Sequence, residues 1–206
     1  MKPTAHYTVT NQHGFSLIES LVAIVIMALG ILGILGMQMR TLNNTQTSLY
    51  RSQAIRLIED FSERMSTAPN ALLNLKNYAS AWDADVAAGK NCSSAACNNS
   101  EIAAYDLAQW KTSVQDSLPA GQANIFLAPG ETVDANRRQI GVMIAWRENE
   151  ASQADNYKAP INAATDGGNN VSCPDEHTCH LQYITVTARC APYFAGSSTQ
   201  LFCPGS

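Results

Sequence analysis

A single carboxylate, that of Glu19, lies at the start of the longest apolar run in the chain. The next 20 residues, Ser20 to Met39, carry no formal charge and are mostly Leu, Ile, Val, Met, Ala and Gly. At about 1.5 Å per residue, a helix of that length spans roughly 30 Å, the thickness of the hydrocarbon core of a bilayer. An ionisable side chain in lipid is costly and usually marks a function that brings a partner charge close to it.

The partner charge of Glu19 is not found nearby in the sequence, because no Lys or Arg lies between Lys2 and Arg40. Cleavage after Gly14 would create one, since the nitrogen of Phe15 would become an ammonium group close to the carboxylate. The chemistry predicted here is therefore processing of the chain, followed by ion pairing in an apolar environment.

Three kinds of N-terminal segment contain an apolar run: a secretory signal peptide, an uncleaved membrane anchor, and a leader cut on the N-terminal side of the run. A signal peptide has an apolar region of about 7 to 15 residues followed by a cleavage site. The run in this chain is longer, begins with a carboxylate and continues after Met39 into an amphipathic pattern. The pattern favours the leader, with the other two as alternatives.

The stretch from Gly14 to Glu19 resembles the prepilin signature of type IV pilins and type II secretion pseudopilins. It has a short polar leader that ends in glycine, then Phe-Ser-Leu-Ile-Glu and an apolar helix. The resemblance implies that a membrane peptidase, the prepilin peptidase, cuts between Gly14 and Phe15 and methylates the nitrogen of Phe15. It also implies that Glu19 assists docking of the subunit into a filament.

Later segments are similar to minor pilins of the PilV type: Leu21-Val22-Ala23, Gly30-Ile31-Leu32-Gly33, Gln38, the Leu42 region and Arg51-Ser52-Gln53-Ala54. This implies a minor pilin that is incorporated into a type IV pilus or primes its assembly, and that supports adhesion and twitching motility. The implied partners are the prepilin peptidase, other minor pilins, the major pilin, a pilus-tip adhesin and inner-membrane lipid. The implied location is the bacterial inner membrane with a periplasmic globular part, and later the pilus at the cell surface.

All six cysteines follow the apolar run: Cys92, Cys97, Cys173, Cys179, Cys190 and Cys203. An even number on one side of a membrane indicates disulfides and an oxidising compartment, so the globular part is expected outside the cytoplasm. Six cysteines allow 15 pairings, and the sequence does not choose among them. Local spacing favours Cys92 with Cys97, Cys173 with Cys179, and Cys190 with Cys203.

The expected organisation has four parts: a cleaved leader (1–14), a hydrophobic transmembrane and assembly helix (15–39), its amphipathic continuation (40–67) and a periplasmic globular head (68–206). In the continuation, one apolar stripe recurs near the 3.6-residue period, formed by Leu42, Leu49, Leu57, Ile58, Phe61 and Met65. Asp60 is placed to pair with Arg56 and with Arg64 at i,i+4 spacing, and Pro69 ends the helix.

The head is predicted to be α+β, a small antiparallel sheet packed over the long helix. A short helix is expected from Ile102 to Leu118, with Pro119 closing it. Strands are expected at Ile125–Ala128, at Ile140–Trp146 as a half-buried strand, and at Leu181–Cys190, with Ile184, Val186 and Ala188 sharing one face. The polar stretch from Asn149 to Ser172 is predicted to be an exposed, mobile loop.

Gly30, Gly33 and Gly36 allow two interpretations. Small residues in a membrane helix usually let another helix approach closely, which makes them a packing face. Alternatively, they make this part of the helix easy to melt, because each glycine costs nearly 1 kcal/mol relative to alanine. The resemblance to pilins supports melting, although the proline common there in major pilins is missing from this segment.

Composition argues against other classes of function. A net charge of −4 with only 13 Lys and Arg and no basic run gives no reason to expect nucleic-acid binding. Cys173, His177, Cys179 and His180 are metal-ligating types, but their spacing is not that of a zinc site. The sequence has no nucleophile motif and no phosphate-binding loop. We therefore expect no catalytic residue, metal or cofactor, and Trp82, Trp110 and Trp146 are expected to be core anchors.

Two other functions remain open at this stage. A type II secretion pseudopilin would share the cleavage motif and Glu19. A membrane-anchored periplasmic domain that binds a ligand or catalyses a reaction would instead keep residues 1–14.

Overall fold

A computed structural model describes residues 14, 16–68, 71–72, 74–82, 89–131, 133, 137–148 and 161–187. The chain divides into two units, residues 1–45 and 46–206. The helices are α1 (Leu17–Thr67), a short 3-10 helix (Leu75–Tyr78) and α2 (Asn99–Ser117). The strands are β1 (Gln122–Leu127), β2 (Gln139–Trp146), β3 (Asn162–Ala164), β4 (Asn170–Ser172) and β5 (Thr178–Thr185). The architecture is the α+β fold predicted from the sequence, with a long N-terminal helix and a small antiparallel sheet.

The first unit is helical from Leu17 onward, and every described side chain from Ser16 to Gln46 is exposed. By length and composition, this part of α1 is apolar enough to cross a membrane. An exposed apolar surface of this extent requires either lipid or another protein to cover it.

The main sheet of the second unit has the order β1-β2-β5, with both pairs antiparallel. Its central strand aligns four apolar side chains on one face, as the alternation predicts, and Ile140, Val142, Ile144 and Trp146 are all buried. Ile184 and Val186 lie on the same face and are also buried, which confirms that prediction, whereas Ala188 and Cys190 lie outside the described residues.

The C-terminal part of α1 covers this face of the sheet. Its buried residues are Ala54, Leu57, Ile58, Phe61 and Met65, and they form one core cluster with β1, β2, β5 and α2. Leu42 and Leu49 were expected on the same stripe, but each is 61% exposed, so that part of the prediction is wrong. The ion pair between Asp60 and Arg64 is present, with an N–O distance of 2.8 Å.

Helix α2 is anchored to α1 through Trp110. Its indole Nε1–H donates a hydrogen bond of 2.7 Å to the carbonyl oxygen of Leu57. The indole also packs on Phe61, with ring centroids 4.6 Å apart. A buried indole needs such an acceptor because an unpaired N–H in the core is costly. Trp110 and Trp146 are therefore core anchors as predicted, and Trp82 is partly buried against a second cluster.

The start of α2 carries a capping box that the sequence prediction did not identify. The Asn98 side chain accepts the Glu101 backbone N–H at 2.9 Å, and the Glu101 carboxylate accepts the Asn98 backbone N–H at 2.8 Å. That second hydrogen bond, followed by the one from Lys90, lowers the pKa of Glu101. The box places the start of α2 three residues before the predicted Ile102.

The second face of β2 is also buried, which corrects the prediction of a half-buried strand. Met143 is fully buried and clusters with Phe126 and Ala163. Ala163 belongs to a hairpin of β3 and β4, in which it lies directly opposite Val171. Residues 161–172 therefore form a hairpin rather than a loop without secondary structure; it contacts the second face of β2 through Ala163, while most of its side chains are exposed. The other part of the predicted loop, 149–160, lies outside the described residues.

Gly141 makes room for an aromatic pair across β2. It lies between Phe126 of β1 and Tyr183 of β5 in the register, and those two rings meet edge to face at 6.0 Å. A Cβ on Gly141 would lie 2.4 Å from two ring carbons of Phe126. Glycine is therefore required here by close approach of the Phe126 ring.

We expect Gly141→Ala to lower the free energy of unfolding by about 1–3 kcal/mol, the usual range for overpacking a filled core. Denaturant-induced unfolding of the full chain, followed by tryptophan fluorescence, measures this. Gly167→Ala is the matched control, because its Cβ would meet only Asn169 Nδ2, at 3.8 Å. Equal unfolding midpoints for the two variants would contradict the role given to Gly141.

Asp106 of α2 is half-buried beside the Asp60–Arg64 pair of α1. Burial is the main cause that raises the pKa of Asp106; the Arg64 guanidinium opposes this effect, and the Asp60 carboxylate adds to it. Burial also raises the pKa of the Tyr78 phenol, with a further contribution from Asp106. Relative to the unfolded chain, folding therefore shifts Asp106 toward its protonated form.

Proton linkage gives the direction in which the stability of the folded protein changes with pH. Because the pKa of Asp106 is higher in the folded state than its ordinary 3.8, its contribution to stability is most favourable at low pH and is lost as the pH rises through the folded-state pKa. We expect Asp106→Asn to stabilise the protein at pH 7 by less than about 1 kcal/mol, since the group is partly solvated, and to change little at pH 3. Unfolding curves at both pH values test this, with Asp116→Asn, an exposed carboxylate on the same helix, as the control.

Candidate processing and assembly site

The predicted cleavage site lies immediately before α1. Gly14 is exposed, and a Cβ placed on it would meet nothing within 4 Å. Phe15 lies outside the described residues. The carbonyl of Ser16 accepts hydrogen bonds from the backbone N–H groups of Glu19, at 3.0 Å, and Ser20, at 3.3 Å. The helix therefore starts at Leu17, three residues after Gly14.

Glu19 lies in the first turn of α1, and its side chain is exposed. The unpaired N–H groups of a helix N-terminus carry partial positive charge, so a carboxylate is favourable in this turn. A chain that began at Phe15 would place its ammonium four residues before Glu19, the spacing at which helical neighbours meet. The position of Glu19 thus suits pairing with the new N-terminus of its own chain or with that of a neighbour.

The three glycines of the apolar segment, Gly30, Gly33 and Gly36, all lie within α1. A Cβ on any of them would meet nothing within 4 Å. Intrachain packing of the described residues therefore does not require glycine at these positions. This agrees with a face kept small for another helix, while melting of the segment stays a prediction.

Hydroxyl side chains follow the apolar segment and bond back to their own helix. Thr41 Oγ1 donates to the Met37 carbonyl at 3.0 Å, and Thr45 Oγ1 donates to the Thr41 carbonyl at 2.9 Å. Such bonds to the residue four positions earlier satisfy a hydroxyl where water is scarce. The sequence prediction missed them, although the spacing Met37–Thr41–Thr45 was a readable signal.

Four of the six cysteines form disulfides in the structure, Cys92 with Cys97 and Cys173 with Cys179. These are two of the three local pairings favoured by spacing. The third pair, Cys190 and Cys203, lies outside the described residues. The first disulfide directly precedes the Asn98 cap of α2, and the second joins the end of β4 to β5.

The two histidines near the second disulfide do not lie together in a metal-binding arrangement. His177 Nδ1 lies 2.7 Å from the Asp175 carbonyl oxygen. His180 lies opposite Ile144 in the register, on the core face of β5. Burial, followed by the Arg51 guanidinium, lowers its pKa. Within the ranges that the structure describes, no group of three or more His, Cys, Asp or Glu side chains is placed to hold a metal ion.

Comparison with known families gives two adjoining matches. Residues 9–35 match the prokaryotic N-terminal methylation motif, which covers Gly14, Phe15 and Glu19. Residues 36–108 match a family described as type IV pilin Tt1218. Residues 36–108 are therefore similar to a type IV pilin, and they follow a stretch similar to the N-terminal methylation motif. No curated protein and no solved structure matches the chain.

These matches confirm the resemblance at the level of type IV pilins. The observed fold, a long N-terminal helix with a small antiparallel sheet, is consistent with that of a type IV pilin. The pilin match ends within α2, so the sheet and both strands of the hairpin lie beyond it. A methylation motif implies processing by prepilin peptidase and assembly with other pilins.

Proposed function

We propose that the protein is a minor pilin, incorporated into a type IV pilus or priming its assembly. The observation that carries this is the combination of an N-methylation motif with an exposed apolar helix whose first turn holds Glu19. The role is structural rather than enzymatic. It supports pilus biogenesis and, through the pilus, adhesion and twitching motility.

The proposed mechanism begins in the inner membrane, where residues 15–39 hold the precursor. Prepilin peptidase removes residues 1–14 and methylates Phe15. Glu19 then pairs with an N-terminal ammonium as the helix leaves lipid for a bundle of other helices. Because an unpaired carboxylate is strongly disfavoured in an apolar environment, this pair selects the register and the partner.

The proposed location of the globular part is the periplasm and then the pilus at the cell surface. The two disulfides support this, because disulfides persist in oxidising compartments. In this scheme residues 40–67 continue the helix under the sheet, and residues 68–206 form the head that meets other minor pilins, the major pilin or a tip adhesin. Resemblance over residues 14–65 to minor pilins of the PilV type supports the minor role.

We expect the mature protein, purified from its own membranes, to begin at N-methylated Phe15. Intact-mass measurement and analysis of the N-terminal peptide check this directly. A chain that retains residues 1–14, or one cut after the apolar run, would contradict prepilin processing and favour an anchored or secreted domain.

Prepilin processing does not separate a pilus subunit from a type II secretion pseudopilin. Deletion of the gene, scored for surface pili and for secreted enzymes, does. Loss of pili with normal secretion is expected for the proposed function, and the reverse result would assign the protein to the secretion system.

We expect Glu19→Val to leave cleavage and membrane insertion intact but to reduce the filament-bound fraction by about tenfold or more, because the ammonium loses its buried partner. Quantitative blotting of membrane and sheared-filament fractions measures the effect. Ser20→Val is the matched control, since it adds the same side chain one residue later without removing a charge. Glu19→Asp is expected to retain part of the incorporation. Normal incorporation of Glu19→Val would refute the pairing role.

A further inference from the structure

The β3–β4 hairpin lies against the second face of β2 with few contacts of its own. It forms a separate two-stranded sheet of three residue pairs and shares no ladder with the main sheet. Within residues 161–172, all of which the structure describes, Ala163 is the only buried side chain, and Ile161 and Val171 are partly buried beside it. A two-stranded hairpin is marginally stable alone, so its position on the sheet requires further support.

Polar contacts support the hairpin at its turn. The backbone N–H of Asp166 donates a hydrogen bond to the Leu127 carbonyl oxygen, at 3.3 Å. The Asp166 carboxylate also forms an ion pair with the buried side chain of Arg137, which lies two residues before β2. These contacts fix one end of the hairpin and leave the other end to a different attachment.

A disulfide fixes the end of the hairpin opposite the turn. Cys173 follows β4 directly, and its backbone N–H donates to the Ile161 carbonyl oxygen at 3.0 Å. Its sulfur is bonded to Cys179, a residue of β5 that lies opposite Ala145 of β2 in the register. A covalent bond therefore joins the open end of the hairpin to the main sheet.

The connection between the two cysteines does little to hold the hairpin in place by itself. Glu176 in this connection has a φ of 58°, in the left-handed region that non-glycine residues rarely adopt. Such a conformation costs free energy and persists where the surrounding structure holds it. The Glu176 carboxylate pairs with Arg147, but both side chains are largely exposed, and a surface pair contributes little. The disulfide is therefore the main restraint at this end.

We infer that the Cys173–Cys179 disulfide is a redox latch that holds the β3–β4 hairpin over the second face of β2. With the disulfide formed, the hairpin covers Met143 and Phe126. With two thiols, the hairpin leaves the sheet and exposes them, while the main sheet and the helices stay folded. The core cluster on the first face supports this separation, because none of its described members belongs to residues 161–172.

The latch closes by thiol–disulfide exchange with an oxidised thiol–disulfide oxidoreductase. The thiolate of one cysteine attacks the disulfide of the oxidoreductase and forms a mixed disulfide, and the thiolate of the other cysteine then displaces the oxidoreductase. The Cys173–Cys179 bond forms, the disulfide of the oxidoreductase breaks, and the oxidoreductase leaves as a dithiol with the two electrons and two protons. In the location proposed above, closure follows arrival of the globular part in the periplasm.

Hydrogen–deuterium exchange of the purified full chain in detergent tests the latch and does not depend on that location. We expect Cys173→Ser/Cys179→Ser to accelerate exchange of the backbone amides of residues 162–172 about tenfold or more, because they lose protection by local opening, and to leave α2 unchanged. Cys92→Ser/Cys97→Ser is the matched control, since it removes the other described disulfide and is expected to leave exchange in the hairpin unchanged. Unchanged exchange in the first variant, or equal acceleration in the control, would overturn the inference.

Oxidation of methionine by hydrogen peroxide tests whether the second face is uncovered. Met143 and Met65 are both buried, but Met143 clusters with the hairpin and Met65 lies in the core on the first face. In Cys173→Ser/Cys179→Ser we expect Met143 to oxidise about tenfold faster and Met65 at an unchanged rate, since oxidation follows exposure. Mass spectrometry of the two methionine peptides measures this. Equal acceleration at both, or a variant that does not fold, would mean that the disulfide supports the whole C-terminal unit and would refute a latch.

Reduction of the natural chain tests whether the latch is reversible. We expect dithiothreitol to accelerate exchange in residues 162–172 as far as the serine variant does. Subsequent oxidation with oxidised glutathione is expected to restore slow exchange, because it reforms the disulfide. Exchange that stays fast after the disulfide has reformed would show that the hairpin does not return to the sheet, and would contradict the switch.

Discussion

Burial of β2 on both faces is the constraint on which the rest of the C-terminal unit depends. A strand with apolar side chains on both faces needs a layer on each. Helices α1 and α2 supply one layer, fixed to each other by the hydrogen bond from Trp110 to Leu57. The β3–β4 hairpin supplies the other through Ala163. A glycine is then needed at position 141, because both neighbouring strands place aromatic rings over that point of β2.

The surface of α1 differs between its N-terminal and C-terminal parts, so the two parts need different surroundings. From Ala54 to Met65 one face is buried in the core, and the rest of the surface there is polar enough for water. From Leu21 to Met37 every residue is apolar and exposed. No single solvent suits both segments, so a protein with this sequence requires an apolar environment for one and an aqueous one for the other.

Most of the fold could be predicted from the periodicity of apolar residues and from the prolines that end helices. Alternation identified the core face of β2, and Pro119 marked the end of α2. The hairpin was not predicted, because residues 162–172 are mostly Asn, Asp and Gly. Its two apolar contacts with the sheet, Ala163 and Val171, are too few to form a recognisable alternation. Leu42 and Leu49 were misassigned because, at 100° per residue, they lie roughly 120–140° round α1 from the face that is buried. The processing site stays a prediction from its motif, which can be recognised in a sequence because it is short and local.

The position of Glu19 limits what can surround the apolar helix. Leu17, Ile18 and Leu21 flank it and are exposed, so lipid or another helix must cover them. Whatever covers them also removes water from the carboxylate, which then requires a cation. The helix supplies only partial charge from its first N–H groups, and no Lys or Arg lies between Lys2 and Arg40. In the function proposed above, cleavage after Gly14 would supply this charge as the N-terminal ammonium of Phe15.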